Sequence, residues 1–363
     1  MLLELLRISG ASGDDAEVQF VLGRCMSLDL QASPTSRWQM MVSLGQGLRT
    51  RGRSLIEATN TPDLKSLFNL SCDAAAAQLV LADDHHAAAV ALLSFAPTEK
   101  AIPVLREQLK PQVSVELQRA AIVALGDLPG SEGALAALAQ WKELSPEPRR
   151  DTVEILLRDR TRVDALLQAI TDHHVKTSEL STEQWQSLLG HPDLPVRERA
   201  ASLRGKVSAD REAVIAAVRE TVEAGGDFER GRVVFKKTCS VCHKLGDDGH
   251  AVGPDLVSVA NKSPADLLVA ILDPNREAQP KYVGYTLETT QGQVFTGILA
   301  SESTTSVTLR RSEAKEDIIA RELIESLASS GISLMPVGVE KDLTPQNLAD
   351  VVAYIRGQGV LVK

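Results

Sequence analysis

The chain contains 363 residues, carries a formal net charge of −9, and is 44% hydrophobic but only 3% aromatic. Its length allows two or three domains, while its negative charge argues against a nucleic-acid ligand and against an anionic membrane surface. No stretch reaches the run of about 18 apolar residues that a membrane-spanning helix needs. Few aromatic residues and many alanines and leucines predict a mainly α-helical protein packed through small side chains.

The first 225 residues contain an internal repeat. The sequence AAVAL at 88–92 recurs as AIVAL at 121–125, thirty-three positions later, and looser echoes follow at 153–157 and 199–203. This pattern resembles HEAT repeats, in which helix pairs bury their apolar faces against their neighbours as an α-solenoid. Such a domain over 1–225 could offer a concave surface to a protein partner or act as a spacer beside the following domain, and both interpretations stay open.

Two of the four cysteines, Cys25 and Cys72, lie on predicted helices of this repeat region. Buried free thiols are the usual state of such residues. A disulfide is the alternative in an oxidising compartment, so the sequence leaves both states open.

The character of the chain changes at the Gly-rich linker 223–227, after which a predicted helix over 228–237 leads into the sequence Cys239-Ser-Val-Cys242-His243. Two cysteines three positions apart, with a histidine directly after the second, are what covalent haem attachment requires. The thiols add to the two vinyl groups, and the imidazole becomes the proximal ligand of the iron. The motif therefore predicts haem c bound through Cys239, Cys242 and His243.

Zinc binding and dithiol redox chemistry are the alternatives for the same residues. Zinc normally needs four well-separated protein ligands, whereas His250 is the one further independent donor nearby in the sequence. A thioredoxin-like dithiol is expected beside a βαβ pattern, which this sequence lacks. Haem c is therefore the favoured interpretation.

A second axial ligand is predicted at Met335. Four of the five methionines lie within the first 41 residues, and the fifth is Met335 in the sequence Ser-Leu-Met-Pro. A thioether favours ferrous iron and raises the reduction potential, and Pro336 stiffens the loop that carries it. The alternative is that Met335 only fills a gap in the core.

Between the haem motif and Met335 the sequence predicts a helix and then a small sheet. Ser263 and Pro264 are N-cap and first-turn signals for a helix that ends near residue 272. Runs of β-branched residues between about 281 and 327 predict an insert of three or four β-strands. A final helix is predicted over 347–355, introduced by Leu-Thr-Pro at 343–345.

These motifs together resemble a class I cytochrome c. They are the Gly231 and Phe235 helix, the haem motif, Gly-Pro-Asp-Leu at 253–256, the distal Met335-Pro336 and a final helix with Tyr354-Ile355. The resemblance implies that the first and last helices cross and that Pro254 packs beside His243. It also implies that the backbone carbonyl preceding this proline orients the imidazole. The separation of 92 positions from His243 to Met335, which includes the β-insert, is longer than in the ordinary small members.

The same motifs, together with the Tyr-rich β-insert and Ser-Leu-Met-Pro, are similar to the haem-binding C-terminal domain of large exported proteins of Planctomycetes and Verrucomicrobia. HEAT-like repeats often precede that domain, and a propeller resembling sugar dehydrogenases commonly lies upstream. The segment 1–7, MLLELLR, has neither a basic leader nor a continuous apolar core, so no secretory signal is predicted there. The resemblance implies a periplasmic or otherwise extracytoplasmic C-terminal part of a larger dehydrogenase-like protein.

Three functions are consistent with these residues. The favoured one is single-electron transfer to or from a redox partner or a fused dehydrogenase domain, with Lys262 and Arg276 either binding the propionates or acting as ordinary surface cations. A haem peroxidase needs an open sixth position, against which Met335 argues. An interaction scaffold would use the haem as a structural or sensory group. The chain is thus expected to carry electrons rather than to catalyse a reaction on its own.

Overall fold

A computed structural model describes six stretches of the chain, namely residues 1–12, 14–27, 34–79, 86–204, 209–276 and 279–361. The chain divides into two compact units, Met1–Trp141 with Glu147–Ala165, and Lys142–Pro146 with Leu166–Lys363. This division falls earlier than the predicted domain boundary at 225, which rests on a change of sequence character and stays a prediction. Among the described residues, no helix combines the length and apolar character needed to cross a membrane.

The first unit consists of short helices. Their bounds are α1 (Leu2–Ser12), α2 (Asp15–Ser27), α3 (Pro34–Arg49), α4 (Leu55–Ala58), α5 (Pro62–Gln78), α6 (His86–Leu93), α7 (Thr98–Glu107), α8 (Val115–Asp127), α9 (Glu132–Ala139), α10 (Pro146–Leu156) and α11 (Arg160–Thr171), the last two of which extend into the second unit at one end. The repeated sequences at 88–92 and 121–125 lie in α6 and α8, where most of their alanines and leucines are buried. A HEAT-like solenoid stays a prediction.

The second unit adds six further helices within the described residues. They are α12 (Thr182–Leu189), α13 (Leu194–Arg204), α14 (Ala209–Ala224), α15 (Phe228–Val234), α16 (Pro264–Leu272) and α17 (Pro345–Leu361). The predicted caps are present, because the Ser263 hydroxyl accepts from the Asp266 N–H at 3.1 Å and the Thr344 hydroxyl accepts from the Asn347 N–H at 3.2 Å. The chain is mostly helical with a C-terminal sheet, as the composition and the β-branched runs predicted.

Helices α15 and α17 cross in close contact, as the resemblance implied. A Cβ at Gly231 would collide with the carbonyl oxygen of Asp350 and would lie 2.8 Å from Cβ of Tyr354, so only glycine allows this approach. The buried ring of Tyr354 also contacts two rings of the first helix region, Phe228 with centroids 5.0 Å apart and Phe235 at 5.6 Å. The crossing is therefore fixed by one glycine and three aromatic rings.

Asp350 is a buried carboxylate at this crossing, with only 1% of its surface exposed. It accepts hydrogen bonds from the Asp227 N–H at 2.8 Å, from Arg230 Nε at 2.7 Å and from Gln346 Nε2 at 2.9 Å. The Arg230 hydrogen bond is the largest cause that lowers the pKa of Asp350 to about 2, against the opposing effect of burial. The carboxylate thus joins the start of α15 to α17.

The β-insert is larger than predicted. A short hairpin near the haem motif contains β1 (Lys244–Leu245) and β2 (Asp248–Gly249). The insert contains β3 (Val283–Thr289), β4 (Val294–Glu302), β5 (Ser306–Arg311), β6 (Lys315–Ala320) and β7 (Ile324–Ser333). Among the described residues, these five strands form one antiparallel sheet in the order β6-β5-β4-β3-β7.

The prediction of three or four strands ending near residue 327 therefore gave too few strands and ended the insert too early. Strand β6 begins with Lys-Glu-Asp, and strand β7 contains four serines, so neither shows the apolar alternation that marks a strand in the sequence. Both are held by pairing with better-patterned neighbours, β6 with β5 and β7 with β3. The core of the sheet includes Tyr285, Leu287, Val307, Leu309 and Leu327.

We expect Gly231→Val to weaken the second unit, because the added side chain collides with the backbone of α17. The loss in the free energy of unfolding should be about 3 kcal/mol, measured by denaturant unfolding followed by circular dichroism. Gly23→Ala is the control, since its Cβ would meet only Leu64 Cδ2 at 3.8 Å. Equal stability of the two variants would contradict the close crossing.

We expect Asp350→Asn to flatten the acid limb of the stability curve. The folded-state pKa of Asp350 is about 2, which is below the ordinary value of 3.8. The ionised carboxylate therefore stabilises the fold at pH values above 3.8, and this stabilisation is lost as the pH falls from 4 toward 2. The variant should lose about 2 kcal/mol at pH 7 and show a shallower decline below pH 4. The exposed Asp342→Asn serves as control, and a parallel decline in both variants would argue against the network.

Candidate haem site

The haem motif begins directly at the helix crossing. Helix α15 continues into a π-helical turn, Phe235–Cys239, whose first residue is fully buried against the core that contains Tyr354. The turn ends at Cys239, so this cysteine is positioned by the contact between α15 and α17. Gly231 and Phe235 therefore act on the site through packing rather than through chemistry.

Backbone hydrogen bonds join the motif to the Gly-Pro segment that follows. The carbonyl of Cys239 accepts from the N–H groups of Cys242 at 3.1 Å and of His243 at 2.9 Å. The carbonyl of Cys242 accepts from the N–H groups of Val252 at 3.0 Å and of Gly253 at 2.6 Å. Residues 239–243 and 252–254 thus form one connected unit around the histidine ring.

His243 is oriented by Pro254. Its Nδ1 lies 2.9 Å from the Pro254 carbonyl oxygen, so the ring N–H donates there and Nε2 keeps its lone pair. The prediction that the preceding carbonyl orients the ring was wrong by one residue, because the chain turns so that Pro254 presents its own oxygen. Burial lowers the pKa of His243, which favours the neutral imidazole that a metal requires.

Gly253 leaves the space that the histidine ring occupies. A Cβ at this position would lie 2.6 Å from His243 Cε1 and 2.9 Å from Nδ1, well inside contact distance. Any side chain here would displace the ring from the Pro254 carbonyl. The Gly-Pro pair therefore supplies both the room and the hydrogen-bond acceptor.

The cysteines divide into two groups. Cys25 and Cys72 are buried free thiols, and burial raises the pKa of Cys25 and raises that of Cys72 to about 12. Cys239 and Cys242 are partly accessible, and burial together with the charge of Cys242 raises the pKa of Cys239 to about 11. Cys25 and Cys72 are therefore structural core residues, while the motif cysteines stand at the edge of the site.

The sheet contacts the motif through the turn between β5 and β6, a contact that the sequence analysis missed. The Glu313 N–H donates to the Val241 carbonyl at 2.8 Å, and Arg310 Nη1 donates to the Ala251 carbonyl at 3.0 Å. Ser312 Oγ lies 3.9 Å from Cys242 Sγ. Glu313 has a left-handed backbone with φ of 63°, an uncommon conformation for a residue with a side chain.

Met335 lies on a separate loop between β7 and a short 3-10 helix, Val339–Lys341. It is half-buried, and its N–H donates to the Ser333 hydroxyl at 3.1 Å. The structure thus brings Cys239, Cys242, His243 and Pro254 together, whereas the role of Met335 as a ligand stays a prediction.

The two proposed propionate partners lie on either side of α16. Lys262 is half-buried just before the helix, and Arg276 is exposed just after it. Their role in binding the propionates stays a prediction.

The residues present fit a covalently attached haem. The motif offers two thiols and an imidazole whose Nε2 is available while Nδ1 is held by Pro254. Three apolar side chains beside the predicted ligands, Val241, Leu334 and Val337, are 41% to 50% exposed and suit contact with an apolar macrocycle. The residues that the structure describes form no group of three or more His, Cys, Asp or Glu able to hold a metal ion by themselves.

The comparison with known families supports a cytochrome c domain in the C-terminal part of the chain. Residues 226–291 match the family described as cytochrome C oxidase, cbb3-type, subunit III. A domain of this class implies a covalently bound haem, electron transfer and a redox partner, and it is typically extracytoplasmic. No curated protein matches the chain.

We expect Gly253→Ala to displace the His243 ring and weaken its bond to iron in the haem-loaded protein. The displaced ring loses its alignment with Pro254, so the variant should show a larger high-spin fraction in its oxidised absorption spectrum. Gly23→Ala is the control, because Gly23, like Gly253, has no left-handed backbone and its Cβ would meet only Leu64 Cδ2 at 3.8 Å. Identical spectra for both variants would contradict the role of Gly253.

Proposed function

We propose that residues 226–363 form a one-electron transfer module that carries one haem c. Cys239 and Cys242 form the two thioethers, His243 is the proximal axial ligand and Met335 the distal one, with Pro254 orienting the histidine. The observation that carries the proposal is the 2.9 Å contact of His243 Nδ1 with the Pro254 carbonyl inside a Cys-x-x-Cys-His loop, which leaves Nε2 for iron.

When bound, the haem supplies reversible one-electron chemistry at its iron. The chain's own residues bind and orient it and exclude water from one side. His243 is kept neutral by burial, Phe235 and Leu268 belong to the apolar core beneath the motif, and the turn at Ser312 covers the Cys242 side. A buried neutral histidine with a soft thioether opposite it favours the ferrous state and therefore a raised reduction potential.

The setting of this module is also part of the proposal. A haem c requires maturation outside the cytoplasm, so we place the protein in the periplasm or another extracytoplasmic compartment. The similarity to exported haem-binding C-terminal domains supports a larger dehydrogenase-like protein as electron donor or a separate redox partner. Residues 1–225, as a HEAT-like repeat domain, would then hold a protein partner or act as a spacer.

We expect Met335→Leu to abolish methionine ligation while leaving covalent attachment intact. The oxidised wild type should show the weak long-wavelength charge-transfer band of a methionine-bound ferric haem, and the variant should lose it and take a lower reduction potential. Absorption spectra and a redox titration of protein made with a c-type maturation system would measure both.

Met41→Leu is the matched control, because Met41 is a fully buried methionine of the first unit. Loss of the band in Met335→Leu alone supports the assignment. A wild-type spectrum of five-coordinate high-spin iron would instead favour ligand-binding or peroxidase chemistry, and retention of the band in Met335→Leu would exclude Met335 as the ligand.

A further inference from the structure

The loop that carries Met335 is held at each end by a side chain from elsewhere in the second unit. Its upstream end is Ser333, whose N–H donates to Asn275 Oδ1 at 2.8 Å. Its downstream end is Glu340, which lies in the 3-10 helix that precedes α17. Between these residues, Leu334, Pro336 and Val337 are exposed. The position of Met335 therefore depends on what holds the two ends.

The downstream tether is an ion pair with Arg211 of helix α14. Arg211 Nη2 lies 2.7 Å from Glu340 Oε1, and Nη1 lies 3.2 Å from Oε2, so the pair is bidentate. Nη1 also donates to the Leu272 carbonyl at 3.1 Å, at the last residue of α16. Both charged side chains are only 15% exposed. One guanidinium thus joins α14, α16 and the methionine loop.

Helix α14 belongs to the core of the haem module, although it lies upstream of the segment that matches the cytochrome family, 226–291. Its residues Ile215, Val218 and Val222 are buried in the same cluster as Phe235 of the motif turn and Leu348 of α17. This packing fixes the backbone of α14 relative to the site. Arg211 is therefore presented from a rigid element rather than from a mobile segment.

We propose that Arg211 and Asn275 are positioning residues that hold the loop 333–340 so that Met335 remains on the iron, and that α14 thereby supports the haem module from outside residues 226–363. The inference rests on the proposed ligation by Met335. A methionine side chain has three rotatable bonds and forms a weak bond to ferric iron, so its occupancy depends on how far the backbone restricts it. The tethers to Asn275 and to Arg211 supply that restriction.

The ion pair is suited to this task because its partners are largely removed from water. Breaking a partly buried pair on one side leaves an uncompensated charge, which here would be that of the Glu340 carboxylate. Loss of Arg211 should therefore release the Glu340 end of the loop. Loss of the Asn275 side-chain oxygen should release the Ser333 end independently.

The test uses the full-length haem-loaded protein and imidazole as a competitor for the distal position. Imidazole is titrated into the ferric protein at fixed pH while the charge-transfer band of methionine ligation is followed. We expect Arg211→Met and Asn275→Ala each to tighten imidazole binding about tenfold, because displacement of a less restricted Met335 costs less. Arg219→Met is the matched control, since Arg219 is an exposed arginine on the same helix.

Two further variants keep the result interpretable. Arg211→Lys retains the charge without the bidentate geometry and should give an intermediate imidazole affinity. The double variant Arg211→Met with Glu340→Gln should bind imidazole as Arg211→Met does, because the two changes remove the same tether.

The outcomes separate this inference from the proposed function. If Arg211→Met and Asn275→Ala lower the thermal midpoint but bind imidazole as the wild type and Arg219→Met do, both residues are merely structural and the inference is overturned. If the wild type itself shows no methionine band, the proposed ligation fails and the inference fails with it. Tightened imidazole binding with an unchanged control supports both.

Discussion

The close approach of Gly231 to the backbone of Asp350 is the contact on which the haem site depends. Helix α15 runs directly into the turn that ends at Cys239, and the methionine loop leads through the 3-10 helix Val339–Lys341 into α17. The two segments predicted to supply axial ligands are therefore attached to the two helices that cross. The buried Asp350 carboxylate, held by Arg230 and the Asp227 N–H, adds a polar restraint to the same crossing.

The β-insert takes part in the site at two points. Its turn at 311–315 donates a hydrogen bond to the carbonyl of Val241 within the motif, and its last strand, β7, ends at Ser333 just before Met335. The stretch between His243 and Met335 thus includes a folded element that contacts one predicted ligand segment and leads into the other. Its length departs from that of a small cytochrome c without separating the two segments from a common core.

Much of this could be predicted from local sequence, because the signals are themselves local. The spacing of Cys239, Cys242 and His243 predicts the attachment chemistry, and Ser263 predicts the start of α16. Contacts made by backbone atoms across long separations leave no such signal, which is why the Glu313–Val241 hydrogen bond and the Pro254 carbonyl were missed or misplaced. Strands β6 and β7 were missed because charged and serine-rich segments become strands only through their partners.

The central claim is that haem is covalently bound at Cys239 and Cys242, and intact mass measurement after denaturation tests it most directly. Protein produced with a c-type maturation system should carry the mass of one haem through denaturing chromatography, and replacement of both cysteines by alanine should remove it. Haem that dissociates from the unfolded wild-type chain, or a wild-type protein that contains zinc in place of haem, would contradict the account.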